Sequence, residues 1–240
     1  MPEKIWHLKN FRLFEQLTPD QLARIESRAR MRSFARKSLV YLPGDEASSV
    51  LLVTSGRVKI CNFTPEGKQA ILTFIEPGEI FGELSVLDDT PHEEFAEVVE
   101  PATIVLIPRD EIHRLIEENP TLAIRLTQLF GLRRRRIERR LRNLLYRTNR
   151  ERLVHLLLEL AERYGQVESG GVRLDIKLSH QDMASLVGST RESITVALGE
   201  LMNEGYLRLA RRQVSIVDLS GLAASVDTKS PERGLPPDVP

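Results

Sequence analysis

Residues 178–204, LSHQDMASLVGSTRESITVALGELMNE, constrain the fold of this chain more than any other stretch. They predict two short helices joined by a tight turn at Gly188. The first runs from about Ser179 to Val187, with Ser179 as N-cap and Asp182 as a first-turn acceptor. The second begins at Ser189 or Thr190, where Ser189-x-x-Glu192 has the form of a capping box. Ala184, Leu186, Ile194, Ala197, Leu198 and Leu201 take the inward positions. Thr190, Arg191, Glu192 and Thr195 are left on the outer face of the second helix. A helix-turn-helix offers its base-reading side chains there, because the N-terminal end of the recognition helix enters the major groove. An ordinary helical hairpin would show the same inward pattern.

The next residues favour the first of these readings. Gly205 ends the helix, and Tyr206-Leu207-Arg208-Leu209 alternates as a strand does. Arg211-Arg212-Gln213 forms a basic turn, and Val214–Val217 returns as a second strand, so the pair reads as the wing of a winged helix. The expected contacts with double-stranded DNA are Ser179, His180, Ser189, Thr190, Arg191, Glu192, Thr195, Arg211 and Arg212. Arg191 and Glu192 would read bases. Ser179, His180, Thr190 and the wing arginines would hold phosphates, which position the protein without carrying sequence information.

The charge distribution agrees. The chain has no net charge, yet residues 1–130 hold 15 basic and 20 acidic residues, and residues 131–240 hold 19 and 14. Only the back half suits a polyanion. A single cysteine, Cys61, excludes an internal disulfide and a multi-cysteine metal or iron–sulfur centre. Its place in the alternating run Val58–Asn62 makes it a structural strand residue. No apolar run is long enough to span a bilayer and no secretory leader is visible, so a cytosolic protein without a membrane partner is expected. Neither a nucleophile–base set, nor metal-spaced ligands, nor a phosphate-cradling glycine loop is present. The chain is therefore not expected to be an enzyme, and no cofactor or metal is expected.

Upstream, Thr18-Pro19-Asp20-Gln21 opens a helix with a capping box and proline at its first position. From Met31 to Ile107 the texture is short alternating segments. Pro43-Gly44-Asp45, Ser55-Gly56, Pro65-Glu66-Gly67 and Pro77-Gly78-Glu79 read as turns at intervals of 10 to 12 residues. Such spacing predicts a barrel, roll or sandwich. Asp110–Glu118 reads as a helix, and Asn119-Pro120 breaks it. A long helix follows, in which Ala123, Phe130, Ile137 and Leu144 recur every seven positions. Leu126, Phe130, Ile137, Leu141 and Leu144 form an expected seam for a second copy of the chain. Residues 131–152 hold ten arginines and two glutamates. A helix over 153–165, a loop over Gln166–Gly171 and a strand over Arg173–Lys177 lead into the reader. After Leu222 the text turns to Ser, Asp, Gly and Pro and reads as disordered. The expected class is α+β: a sensor-like β-roll (1–119), a dimerisation helix (120–146), a winged helix-turn-helix (147–220) and a tail (221–240).

This order resembles the CRP/FNR family of bacterial transcription regulators over roughly residues 10–218. PGEIFGELSVLDD (77–89) and LSHQDMASLVGSTRESIT (178–195) carry the resemblance. It implies a homodimer on a two-fold symmetric operator, with RNA polymerase as a further partner. It also implies that Gly82 and Glu83 stand where the family meets the ribose and phosphate of cyclic AMP, with Leu84 following them across the pocket. The cyclic-nucleotide receptors place an Arg-Ser pair downstream to grip the cyclic phosphate, and Glu93-Glu94 stand there instead. Two like charges at about 4 Å cost about 4 kcal/mol at an effective dielectric near 20. The adenine-reading Thr-Ser pair of the long helix is matched by Ile137-Glu138. Cyclic AMP is therefore not the expected effector, and Gly82-Glu83 reads as structural inheritance.

The iron–sulfur branch needs four cysteines, and His7, His92, His113 and His155 give no recognisable haem set. The reader is most similar to the nitrogen-control branch, whose effector is 2-oxoglutarate. Arg133 could serve such a dicarboxylate, although Glu93 and Glu94 oppose an anion. A cation or metal at Asp88, Asp89, His92, Glu93 and Glu94 is chemically permitted, and a solvated acidic loop is favoured over it. The effector is left unknown. In the reader, Arg191-Glu192 matches the pair that the family uses for guanine and cytosine. A further family arginine is replaced by Val196, so the operator should differ from the standard half-site.

Overall fold

The structure is a computed structural model that describes residues 11–210 and 213–230. Two compact units divide the chain at Arg133/Arg134. In the first, helix α1 (Pro19–Arg28) starts at the expected capping box: Thr18 and Gln21 exchange side-chain and backbone hydrogen bonds. Six strands follow: β1 (Arg30–Phe34), β2 (Leu39–Tyr41), β3 (Ser49–Phe63), β4 (Gln69–Ile75), β5 (Ile80–Phe81) and β6 (Phe95–Pro108). The long strands β3 and β6 pair antiparallel along most of their length, and every other strand pairs with one of them. Helix α2 (Glu83–Asp88) interrupts the sheet between β5 and β6.

Ser55-Gly56 does not turn the chain. Strand β3 runs through it, and its register against β6 shifts between Val53 and Val58. Gly56 sits at φ +79, and a Cβ there would lie 2.1 Å from the Pro101 carbonyl oxygen. A bulge and a turn call for the same residue types, which is why the dipeptide reads as either. Cys61 is buried in β3, where burial pushes its thiol pKa up, in keeping with a structural thiol.

Pro108 closes β6, α3 covers Arg109–Glu118 and α4 covers Pro120–Tyr146. Glu111, wholly buried on α3, is held by Arg24 (2.6 Å) and Arg28 (3.2 Å) of α1, so its charge stays paired inside the fold. Leu122 and Leu126 of α4 enter the core formed by Phe14, Ile25, Leu52, Ile107 and Leu115, with Leu129 and Phe130 packed against it. This corrects the expected seam at its first position. Leu126 is 6 % exposed in a single chain, so a partner chain has almost no surface of it to cover.

In the second unit, α5 (Asn149–Tyr164) starts at a Thr148–Glu151 capping box and buries Leu153, Val154, Leu157 and Leu160. Strands β7 (Gly165–Glu168) and β8 (Gly171–Leu174) form a hairpin where a loop was expected. The strand expected over Arg173–Lys177 is shifted back onto β8, because its pairing with β7 and β10 lies at 171–174. Helices α6 (His180–Val187) and α7 (Arg191–Asn203) precede β9 (Leu207–Ala210) and β10 (Gln213–Ile216), which pair antiparallel as the wing predicts.

The expected disordered tail needs correction at its start. Helix α8 (Leu219–Ala224) is capped by Asp218, which accepts from the Gly221 amide at 2.8 Å. Leu219, Leu222 and Ala223 are buried at i, i+3 and i+4 of this helix, a short stripe set in small and polar residues, and Val226 in the turn beyond it is buried too. Residues 231–240, the rest of that tail, lie outside the described residues.

Candidate nucleic-acid interface

The reader is built from its caps outward. The Ser179 hydroxyl oxygen accepts from the Asp182 amide at 3.1 Å, and the Asp182 carboxylate accepts from the Ser179 amide at 2.8 Å. Gly188 closes α6 at φ +67, and the Ser189 amide donates back to Ala184 O at 3.0 Å. Ser189 therefore belongs to the end of the first helix, not to the start of the second. Its hydroxyl oxygen is buried without a hydrogen-bond partner, which removes it from the expected DNA contacts. Thr190 is the cap of α7, accepting from the Ser193 amide at 3.2 Å.

Ala184, Leu186, Ile194, Ala197, Leu198 and Leu201 are all buried, as the inward pattern predicts. Thr190, Arg191, Glu192 and Thr195 are exposed, together with Val196. Among the described residues Arg191 has no carboxylate partner, so its guanidinium is free for a ligand. Thr195 donates to the Arg191 carbonyl at 2.9 Å, and its oxygen lies 2.8 Å from His180 Nδ1. Both contacts are satisfied when Nδ1–H donates to Thr195. His180 is thereby fastened to the outer face of α7, a link that spacing alone does not show. Arg211 and Arg212, the expected wing-tip contacts, lie outside the described residues.

On α4, Ile137, Leu141 and Leu144 are 64 %, 52 % and 43 % exposed, and Leu145 and Tyr146 beside them are also exposed. Leu144 has a second neighbour, since its Cδ2 lies 2.9 Å from where a Cβ on Gly188 would stand. The C-terminal end of the expected seam thus also braces the helix-turn-helix turn.

In the β-roll, Gly82 precedes α2 and Glu83 is 3 % exposed. One Glu83 oxygen is bonded by Arg133, and Oε2 is buried without a partner. Arg133 is therefore committed to a carboxylate of its own chain. Tyr41 donates to Glu94 at 3.3 Å and stacks on His92 at 3.7 Å between ring centroids. Sequence offers no reason to place Tyr41 here, because 53 residues separate it from Glu94. Glu93 and Leu84 are exposed; on α4, Ile137 is exposed and Glu138 pairs with Arg134 at 2.7 Å. Asp89 pairs with Arg109 and His92 is inside, which breaks up the permitted acidic cation site. Among the described residues no group of three or more His, Cys, Asp or Glu is placed to hold a metal.

Burial holds the His92 pKa below its ordinary 6.5, with Asp45 opposing weakly. As pH falls from about 6.5, the unfolded chain takes up this proton first, so stability is lost on acidification. His92→Phe keeps the stack and removes the titration. The stability difference between wild type and this variant should move against wild type between pH 7.5 and 5. Urea midpoints at the two pH values check this, and a pH-independent difference would refute it.

Comparison with known proteins agrees with this architecture. Residues 31–119 match the cyclic nucleotide-binding domain, and residues 151–225 match the Crp-like helix-turn-helix domain. A CRP-like cAMP-activated global transcriptional regulator of Mycobacterium tuberculosis is 30 % identical over 211 residues, covering 88 % of this chain and 94 % of the relative. A global nitrogen regulator of Synechocystis is 27 % identical over 188 residues, covering 78 % and 84 %. A solved CooA mutant from Carboxydothermus hydrogenoformans shares the fold, with a TM-score of 0.78 at 24 % identity over 92 % of this chain and 98 % of that one. Among the described residues no helix is long and apolar enough to cross a membrane. With a cyclic nucleotide-binding domain ahead of a Crp-like reader, and a relative matched over nearly its whole length, this chain belongs to the CRP/FNR family of transcription regulators.

Proposed function

We propose that the protein acts as a homodimer, binds a two-fold symmetric DNA operator in a sequence-specific way, and does not depend on cyclic AMP. The observation that carries the DNA reading is the exposure of Arg191, Glu192 and Thr195 on the first turns of a capped recognition helix, with Arg191 free of an internal carboxylate. The guanidinium would take a guanine edge through two parallel hydrogen bonds, and Glu192 would accept from a cytosine amino group. His180, Ser179 and Thr190 would fix the register on phosphates, and the unpaired seam residues of α4 would bring two readers together. RNA polymerase is the next partner once the operator is held.

Cyclic AMP independence rests on Glu93 and Glu94 replacing a cation and a hydroxyl where the family grips the phosphate. The Mycobacterium relative is described as cAMP-activated, so the two proteins should differ in this response. A second reading, gating by another small molecule in the roll, is favoured by the orphaned Glu83 Oε2 and His92 Nδ1. Glu83 Oε2 is a buried acceptor and His92 Nδ1 a buried ring nitrogen, and a ligand bonded to both would satisfy them.

Selection from random duplexes should return a symmetric motif. Arg191→Ala should cost about 1–3 kcal/mol at one base pair of each half-site and leave binding to the other positions in place. A selection without symmetry, or a uniform loss across all sequences, would overturn the assignment of Arg191 as a base reader. Cyclic AMP at saturating concentration should leave operator affinity unchanged.

A further inference from the structure

The second unit contains a cavity that the DNA-reading face does not use. Its volume is about 240 Å³, and it lies among the last turns of α4, the body of α5, the end of α6 and the segment after α8. Leu144, Leu186 and Val187 supply apolar lining. Arg139, Arg152 and Lys229 supply positive charge. Among the described residues none of these three cations forms an ion pair. Arg152 donates to the carbonyls of Leu144 (2.8 Å) and Arg147 (3.0 Å), contacts that hold the side chain still and leave its charge unneutralised.

Two carboxylates also line the space. Glu159 is already paired with Arg140 at 3.1 Å, leaving Glu162 to set against three cations. His155 lines the same space, and its Nε2 is buried without a hydrogen-bond partner. Burial, then the nearby Arg147, keeps this imidazole's pKa below the ordinary histidine value, so it is a neutral ring with one N–H to give. An unsatisfied buried polar atom calls for a partner.

The size is informative. An apolar cavity of about 150 Å³ accepts benzene, so this one has room for a ring and a charged group. We propose that the cavity is a binding site for a small amphipathic organic anion, an apolar body carrying one phosphate or carboxylate group. Arg139, Arg152 and Lys229 hold the anionic end, His155 donates to it, and the leucine and valine side chains cover the rest. The site adjoins the turn of the helix-turn-helix, because Leu144 and Leu186 both line it and Leu144 braces Gly188. Occupancy would stiffen the support on which α7 stands.

Titration of the full chain, followed by the methyl resonances of Leu186 and Val187, tests this without DNA. Phenyl phosphate and benzoate are the two anionic probes, and inorganic phosphate and benzyl alcohol each supply one half of the chemistry. At least one anionic probe should give saturable shifts of both methyl groups. Arg139→Glu with Lys229→Glu, both exposed positions, should weaken that probe about tenfold or more, because attraction becomes repulsion. His155→Phe should weaken it as well, with the spectrum elsewhere unchanged in both variants. Absence of saturable shifts with either anionic probe overturns the site. So does equal saturation by inorganic phosphate or benzyl alcohol, or binding that the charge-reversed variant leaves intact.

Discussion

Gly56→Ala should destabilise the β-roll by more than about 4 kcal/mol, a loss that single substitutions seldom reach. Two effects add. A non-glycine residue at φ +79 carries backbone strain of about 1–3 kcal/mol. The new methyl group would also stand 2.1 Å from the Pro101 carbonyl oxygen and 2.6 Å from the Ala102 Cα, both backbone atoms of β6. Neither can rotate away, so β3 and β6 must part where Val53 faces Ile104 and Val58 faces Val98. Gly67→Ala separates the two causes. Gly67 has the same φ of +79, and its added methyl group meets nothing within 4 Å, so only the strain of about 1–3 kcal/mol is expected. Urea unfolding followed by circular dichroism ranks the two, and amide exchange at Val53 and Val58 localises the effect. Equal midpoints for the two variants would show that the close approach to Pro101 is not what matters.

Ile137→Glu with Leu141→Glu should convert the protein to a single chain in solution and reduce operator affinity by a factor on the order of 10²–10⁴. The first effect follows from exposure. These side chains are 64 % and 52 % exposed in one chain, and burying each against a partner is worth about 1.5–3 kcal/mol. Placing a carboxylate at each position on both helices replaces that gain with four unpaired charges. The second effect follows from linkage, since a half-site bound by one reader loses the effective concentration that the paired reader supplies. Sedimentation gives the mass and a binding titration at fixed salt gives the affinity. Wild-type mass in the double variant would refute the seam on α4. Wild-type affinity with a monomer mass would refute the symmetric operator.

These two tests fall on features of unequal visibility in the sequence. The reader helices announce themselves through short-range chemistry: Ser179 and Asp182 cap each other, Gly188 takes the left-handed turn, and six apolar residues across the two helices turn inward. Each involves residues close in the chain, so spacing carries the information. Ser189 misleads for a local reason. It satisfies the capping-box pattern as well as Thr190 satisfies the N-cap, and only the hydrogen bond from its amide to Ala184 decides between them. Helix α8 is hidden by composition, since its buried stripe of Leu219, Leu222 and Ala223 is short and lies among Ser and Asp residues.

Periodicity along the chain settled the class of each long element, the capped reader and the order roll, helix, winged helix, because helix and strand write their repeats into adjacent residues. Folding decided which face of each element found a neighbour. Leu126 and Ile137 share one apolar pattern, yet Leu126 is consumed by its own core and Ile137 is left in water. Arg133 and Glu83, fifty positions apart, cancel each other's charge, and Tyr41 is brought onto His92 and Glu94 from a distant part of the chain. Contacts between distant residues depend on how the sheet curls and where α4 lies on it, and no repeat in the sequence records that.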